Sequence, residues 1–165
     1  MNPLLETVLT PRELRFEVED LLNEYVLCLD EGRLEEWPEF FTDTGVYKII
    51  SRANVEQNYP LATMSCDSKG MMKDRVVAIR NASVYSQRYL RHLVSNVRVV
   101  GREGDAHLVQ ANYVVLQTLE DYETKIFNSG KYADKVVFVD GKPKFQEKIV
   151  IYDTTLIPSL LVIPI

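Results

Sequence analysis

Hydrophobic positions along this chain change period once, from helical spacing in the first third to alternation in the last half. Thr10-Pro-Arg-Glu13 has the form of a capping box with proline at the first helical position. Leu14, Val18, Leu21, Leu22, Tyr25, Val26 and Leu29 then recur on one stripe, so a long amphipathic helix is predicted, ended by Gly32. A short second helix is predicted over 34–41, with Trp37, Phe40 and Phe41 on its buried side and Pro38 tolerable only in its first turn. Gly45 releases the chain into a strand at 46–50, followed by a polar loop at 51–58 and a short extended piece at 61–64. Asp67 and Ser68 offer caps for a third helix over 69–80, with Met72, Val76 and Ile79 facing inward.

From Gln87 to Tyr152 the pattern reads as four strands with turn punctuation between them. The first, over 89–100, is rich in β-branched residues and stops at Gly101-Arg-Glu-Gly104. The second, over 106–119, alternates apolar Val109, Ala111, Tyr113 and Val115 with a mixed face, and Glu120-Asp121 turns it. The third carries Lys125 and Phe127 and then 136–139. Asn128-Ser129-Gly130 interrupts it in the way that marks a bulge or bend. Asp140-Gly141 is a two-residue hairpin turn leading into the last strand, 145–152. The order helix, helix, strand, helix, four strands predicts an α+β fold with a curved antiparallel sheet and the first helix lying in its concavity.

The composition fits a single domain over 1–165: the 165 residues are 46% hydrophobic and 26% charged, enough to bury a core. Net charge is -5 with both signs interspersed, which argues against a nucleic-acid partner. No apolar run approaches the roughly 20 residues that cross a bilayer, so a soluble, cytoplasmic protein with no membrane partner is expected. Cys28 and Cys66 form no spacing pattern and read as small buried hydrophobes.

The chemistry available is narrow. His92 and His107 lie on different strands with nothing to make them converge on a metal, and His92 reads best as a hydrogen-bonded histidine facing a cavity or interface. The sequence has neither the Cys-x-His and Cys-x-x-His pair of a Rieske cluster nor a phosphate loop nor a nucleophile elbow, so no cofactor or metal is expected in this chain. One enzymatic constellation survives: a cone lined by Tyr25, Asp30, His92 and Tyr113 could place an acid and a base around a small apolar substrate, as in an isomerase or dehydratase.

The stretch Asp30-Glu-Gly-Arg-Leu-Glu-Glu-Trp-Pro-Glu-Phe-Phe41 with Gly45-Val-Tyr-Lys48 resembles the segment after the first helix in small (β) subunits of aromatic-ring-hydroxylating (Rieske non-haem iron) oxygenases. Met71-Met-Lys-Asp-Arg75, Gln87-Arg-Tyr-Leu-Arg-His92, Ile126-Phe-Asn-Ser-Gly130 and Tyr152-Asp-Thr-Thr-Leu-Ile-Pro158 with Ile163-Pro-Ile165 extend the likeness, in order, over nearly the whole chain. It is similar to the salicylate 5-hydroxylase and terephthalate dioxygenase type rather than the benzoate or biphenyl type. The resemblance implies a nuclear transport factor 2-like (cystatin-like) cone in the bacterial cytoplasm. It also implies a catalytic α subunit carrying the Rieske [2Fe-2S] cluster and the mononuclear iron, a β trimer beneath an α trimer, and a benzoic-acid-like substrate. No catalytic residue carries over to this chain.

Three regions are candidates for subunit contact. The apolar tail 156–165, with Leu160, Leu161 and Ile163, must pack on its own cone or on a neighbour. Arg75, Arg88 and Arg91 offer planar guanidinium groups suited to interface pairing. The loop 51–58 is the third, with solvent its favoured environment.

Overall fold

The capping box forms as written: the Glu13 amide donates to Thr10 Oγ1 at 3.3 Å and the Thr10 amide donates to Glu13 Oε2 at 2.7 Å. A computed structural model, describing residues 9–82, 88–119, 123–154 and 163–165, places helix α1 at Pro11–Asp30. Its stripe of Val18, Leu21, Leu22, Tyr25, Val26, Cys28 and Leu29 is buried. The stop is a Schellman arrangement, with Gly32 at φ 69° and the amides of Gly32 and Arg33 donating to the carbonyls of Leu29 and Cys28. The predicted second helix shrinks to a 3-10 turn, Trp37–Phe40. Proline near its start lacks one amide, and the chain must already be extended at Phe41, where β1 (Phe41–Ser51) begins. The expected polar loop contains a short helix α2 (Arg52–Glu56), because the Ser51 hydroxyl accepts from the Asn54 amide at 3.2 Å. β2 is Met64–Cys66 and α3 is Lys69–Ala82, which buries Met72, Val76 and Ile79.

The last half supplies β3 (Arg88–Glu103), β4 (Ala106–Leu119), β5 (Thr124–Val139) and β6 (Lys142–Tyr152) as an antiparallel meander. One six-stranded sheet results, in the order β2-β1-β6-β5-β4-β3. It departs from the expected purely antiparallel sheet at one seam, since β1 pairs with β6 in parallel. The connection through α2, β2 and α3 carries the chain across to the far edge at β3, and the meander then returns to β1 running the same way. Gly101 lies inside β3, and the first hairpin turns only at Gly104 (φ 58°) and Asp105. Asp140 (φ 51°) and Gly141 (φ 74°) make the second tight turn, both left-handed as a type I′ turn needs.

β5 runs unbroken through Asn128-Ser129-Gly130, and the bend is carried by a register shift opposite Val115 and Leu116. Further shifts interrupt the β3–β4, β5–β6 and β1–β6 ladders, and each adds local twist. The concave face is filled by α1, the 3-10 turn and an aromatic cluster of Tyr25, Trp37, Phe41, Tyr47 and Phe145, most of whose ring pairs meet edge to face. Cys28 and Cys66 are both buried and free, as small hydrophobes.

Candidate functional site

At the bottom of the concavity β5 and β6 each aim a charge inward. Asp134 keeps the inward parity of Tyr132 and Val136, while the shift in the β5–β6 ladder puts Lys148 on the same side as Phe145. Lys148 Nζ donates to Asp134 Oδ2 at 2.9 Å, with both side chains fully out of solvent. The ammonium also lies 3.5 Å from the Tyr132 ring centroid, 4.6 Å from that of Phe145 and 4.7 Å from that of Tyr25. Desolvation raises the Asp134 carboxyl to about 6 against the pull of Lys148, and the same burial lowers the Lys148 ammonium. Asp134 Oδ1 and the Tyr132 hydroxyl have no hydrogen-bond partner among the described residues.

The chain's last described residue closes this centre. Ile165 is buried; its carbonyl accepts from the Tyr25 hydroxyl at 2.8 Å and from the Tyr47 hydroxyl at 3.2 Å, and its amide donates to Tyr47 Oη at 2.8 Å. Burial pushes the Tyr25 and Tyr47 phenols up, so neither ionises at neutral pH. Tyr113 stacks on Tyr132 with centroids 4.6 Å apart and donates to Asn128 Oδ1 at 2.5 Å.

The four residues of the acid–base constellation are therefore divided. Asp30 and His92 meet: one carboxylate oxygen bonds the imidazole Nδ1 at 2.6 Å and the other accepts from the His92 amide at 3.0 Å. This clamps the end of α1 to β3. The ring's Nε2 is buried and has no hydrogen-bond partner among the described residues. Tyr25 and Tyr113 are engaged elsewhere, with Ile165 and Asn128. An open hollow of about 500 Å³ does exist, but it lies at the rim, lined by Ser51, Ala53, Asn54, Leu61, Ala62, Thr63 and Tyr152 and by none of the four. Its polar groups are modest: the Thr63 and Tyr152 hydroxyls are 2.8 Å apart.

Donors for a metal do not gather. Among the described residues no three His, Cys, Asp or Glu side chains converge. Cys28 Sγ donates to the Arg33 carbonyl at 3.0 Å, His92 is held by Asp30, and His107 meets the Phe138 ring edge-on. This donor set does not fit an iron–sulfur cluster or a mononuclear iron. No helix among the described residues is long and apolar enough to cross a membrane.

The candidate contact residues are scattered. Arg91 is exposed on β3, while Arg75 on α3 and Arg88 at the start of β3 are half-buried. Ile163 is half-buried against the chain's own core, whereas Leu160 and Leu161 lie outside the described residues. The Lys148–Asp134 pair was missed by the sequence reading. The inward parity of Asp134 between Tyr132 and Val136 was the available signal for it.

The sequence model of a family described as ring hydroxylating beta subunit matches residues 25–159. The chain is 37% identical over 150 residues to the anthranilate 1,2-dioxygenase small subunit of Burkholderia cepacia, covering 91% of this chain and 93% of that protein. It is 32% identical over 143 residues to subunit beta 1 of the terminal oxygenase component of terephthalate 1,2-dioxygenase from a Comamonas species, covering 86% and 92%. A solved structure from Novosphingobium aromaticivorans, assigned as the β subunit of an aromatic-ring-hydroxylating dioxygenase, superposes with a TM-score of 0.85 at 43% identity, covering 93% of this chain and 98% of that one. The cone of a scytalone dehydratase assignment from the same organism shares the fold alone, at 18% identity and a TM-score of 0.65. This chain belongs to the ring-hydroxylating β-subunit family, the small subunits of the terminal oxygenases of aromatic-ring dioxygenases.

Proposed function

We propose that this chain is the structural, non-catalytic subunit of its oxygenase, a trimer-forming base on which a catalytic α subunit assembles. The observation that carries the reading is the filled cone. Tyr25, Tyr47, Ile165, Tyr113 and the Lys148–Asp134 pair fill the interior of the cone with groups hydrogen-bonded within the chain. In this reading the Rieske cluster and the mononuclear iron reside in the α partner, in keeping with a donor set here that fits neither. The substrate is a benzoic-acid-like compound, since anthranilate and terephthalate, named in two relatives, are both aromatic carboxylates.

The test is purification of the chain alone and together with its α partner. The chain alone is expected to be colourless and trimeric by light scattering. The co-expressed complex is expected to be a brown hexamer that hydroxylates an aromatic carboxylate when supplied with its reductase. Monomer in both preparations overturns the reading. A second reading rests on the Asp30–His92 pair with its unpartnered Nε2: an acid–base activity on a small ketone or alcohol. Turnover by the isolated chain, abolished by His92→Ala or Asp30→Ala, would establish it instead.

A further inference from the structure

Two surfaces of this chain are complementary to each other. The first is the outer face of the sheet at its β3 edge. Leu90 and His92 point into the core, so Tyr89, Arg91 and Leu93 point out. The ladder sets Arg91 beside Leu116 and Ile126, and Leu93 beside Val114. Tyr89, Leu93 and Ile126 are 53%, 56% and 71% exposed, an apolar group of a kind that marks contact surfaces. Exposed Arg91, Arg98 and Lys131 share this outer face, and Lys135, also on it, is paired with Glu103 at 3.0 Å.

The second surface is the outward stripe of α1. Phe16 and Leu27 are 53% and 43% exposed, and Asp20 and Glu24 fall between them on the same side, with Glu17 beside them. A hollow of about 300 Å³ opens at the Phe16 end, bounded by Arg12, Arg15 and Glu19, with Arg15 paired to Glu19 at 2.7 Å. It is large enough for one bulky side chain. The apolar group flanked by Arg91, Arg98 and Lys131 on one side, and Leu27 with the carboxylates of Glu17, Asp20 and Glu24 on the other, make a matched pair, while Arg12 and Arg15 stand at the Phe16 end. The two lie on different parts of one subunit, α1 packing on the concave side of the sheet and the apolar group standing on its outer side.

We propose that the occupant of the sheet surface is the α1 surface of a second copy of this chain, so that copies associate head to tail. The inference rests on the trimer reading and specifies its geometry. Two different patches that fit one another form a heterologous contact, which closes into a ring when the rotation allows, as a trimer requires. An isologous contact of the sheet face with itself would instead set Arg91 and Lys131 against like charges.

The experiment uses the full chain and light scattering with sedimentation. Ile126→Asp blocks the sheet surface and Leu27→Asp blocks the helix surface. Both residues are exposed, and circular dichroism confirms that each variant folds. Each variant alone is expected to lose the trimer, with association weakened at least about thirtyfold, as for a central contact residue. An equimolar mixture is expected to give a dimer and no trimer, because each pair retains one intact sheet surface facing one intact helix surface. Reversing charges on one side (Arg91→Glu with Lys131→Glu) is expected to dissociate the ring, and adding Asp20→Lys with Glu24→Lys in the same chain to restore it. Either aspartate variant remaining trimeric, or the mixture remaining monomeric, overturns the head-to-tail contact while leaving the trimer reading intact. A wild-type chain that is monomeric both alone and with its α partner overturns both.

Discussion

Lys148 is held out of solvent by a carboxylate and three aromatic rings, and its neighbours explain why a charged residue is stable at the centre of the cone. Removing one partner of such a pair strands the other. Lys148→Met should therefore cost about 3–5 kcal/mol in urea unfolding, and adding Asp134→Leu should recover most of that loss. Equal losses in the single and double variants would show that the pair does not act as a unit. Asp134 also gives the interior a measurable pH signature. Its carboxyl is lifted from 3.8 to about 6, so the folded protein binds a proton that the unfolded chain lacks between those values. That contribution to stability is complete below 3.8 and is lost as the pH rises through about 6. Carbon NMR of the Asp134 carboxyl should show a midpoint near 6, and a midpoint below 4 would refute the account. Asp30, by contrast, joins two elements, accepting from both the backbone and the ring of His92.

At the level of elements, β5 and β6 meet at one point where backbone approaches backbone. At Gly130 an added Cβ would lie 2.0 Å from the Ile151 carbonyl oxygen, and the nearest atoms are all β6 backbone, so no flexible side chain is there to yield. Gly130→Ala should cost at least about 3 kcal/mol by forcing the β5–β6 ladder apart. Gly104, at φ 58° with nothing within 4 Å, has only the left-handed conformation to lose. Gly104→Ala should cost about 1–2 kcal/mol. Thermal unfolding of the two variants checks the order, and reversal of it would mean that the close approach at Gly130 relaxes.

Over the whole molecule, charge is unevenly distributed in a chain of net charge -5. Carboxylates gather on the outward side of α1 and cations on the outer side of the sheet. If these surfaces meet in the ring, added salt should weaken the trimer, because screening shortens the reach of charge to about 3 Å at 1 M. Sedimentation from low salt to about 1 M should show a rising dissociation constant, and a flat one would mean that apolar contact alone holds the copies together. The proposed division of labour with an α partner belongs to this scale too: in that reading a subunit whose interior is filled has its outer surfaces left for assembly.

Much of this protein is written locally. The capping box and stripe of α1, the alternation of β4, the Asp140-Gly141 turn and the inward residues of α3 each depend on neighbours within a few positions, so the sequence determines them before any folding. The family could likewise be read from short segments kept in order. What only the tertiary structure decided depends on pairings between distant residues. These are the parallel seam of β1 with β6, the clamp of Asp30 on His92, and the closure of Tyr25 and Tyr47 over Ile165. The four residues suggested as one acid–base pocket share the cone but not a site, because a side chain's partner is set by strand register and bulges. Lys148 turns inward only because the ladder slips between β5 and β6, and alternation in a single strand carries no record of its neighbour's slip.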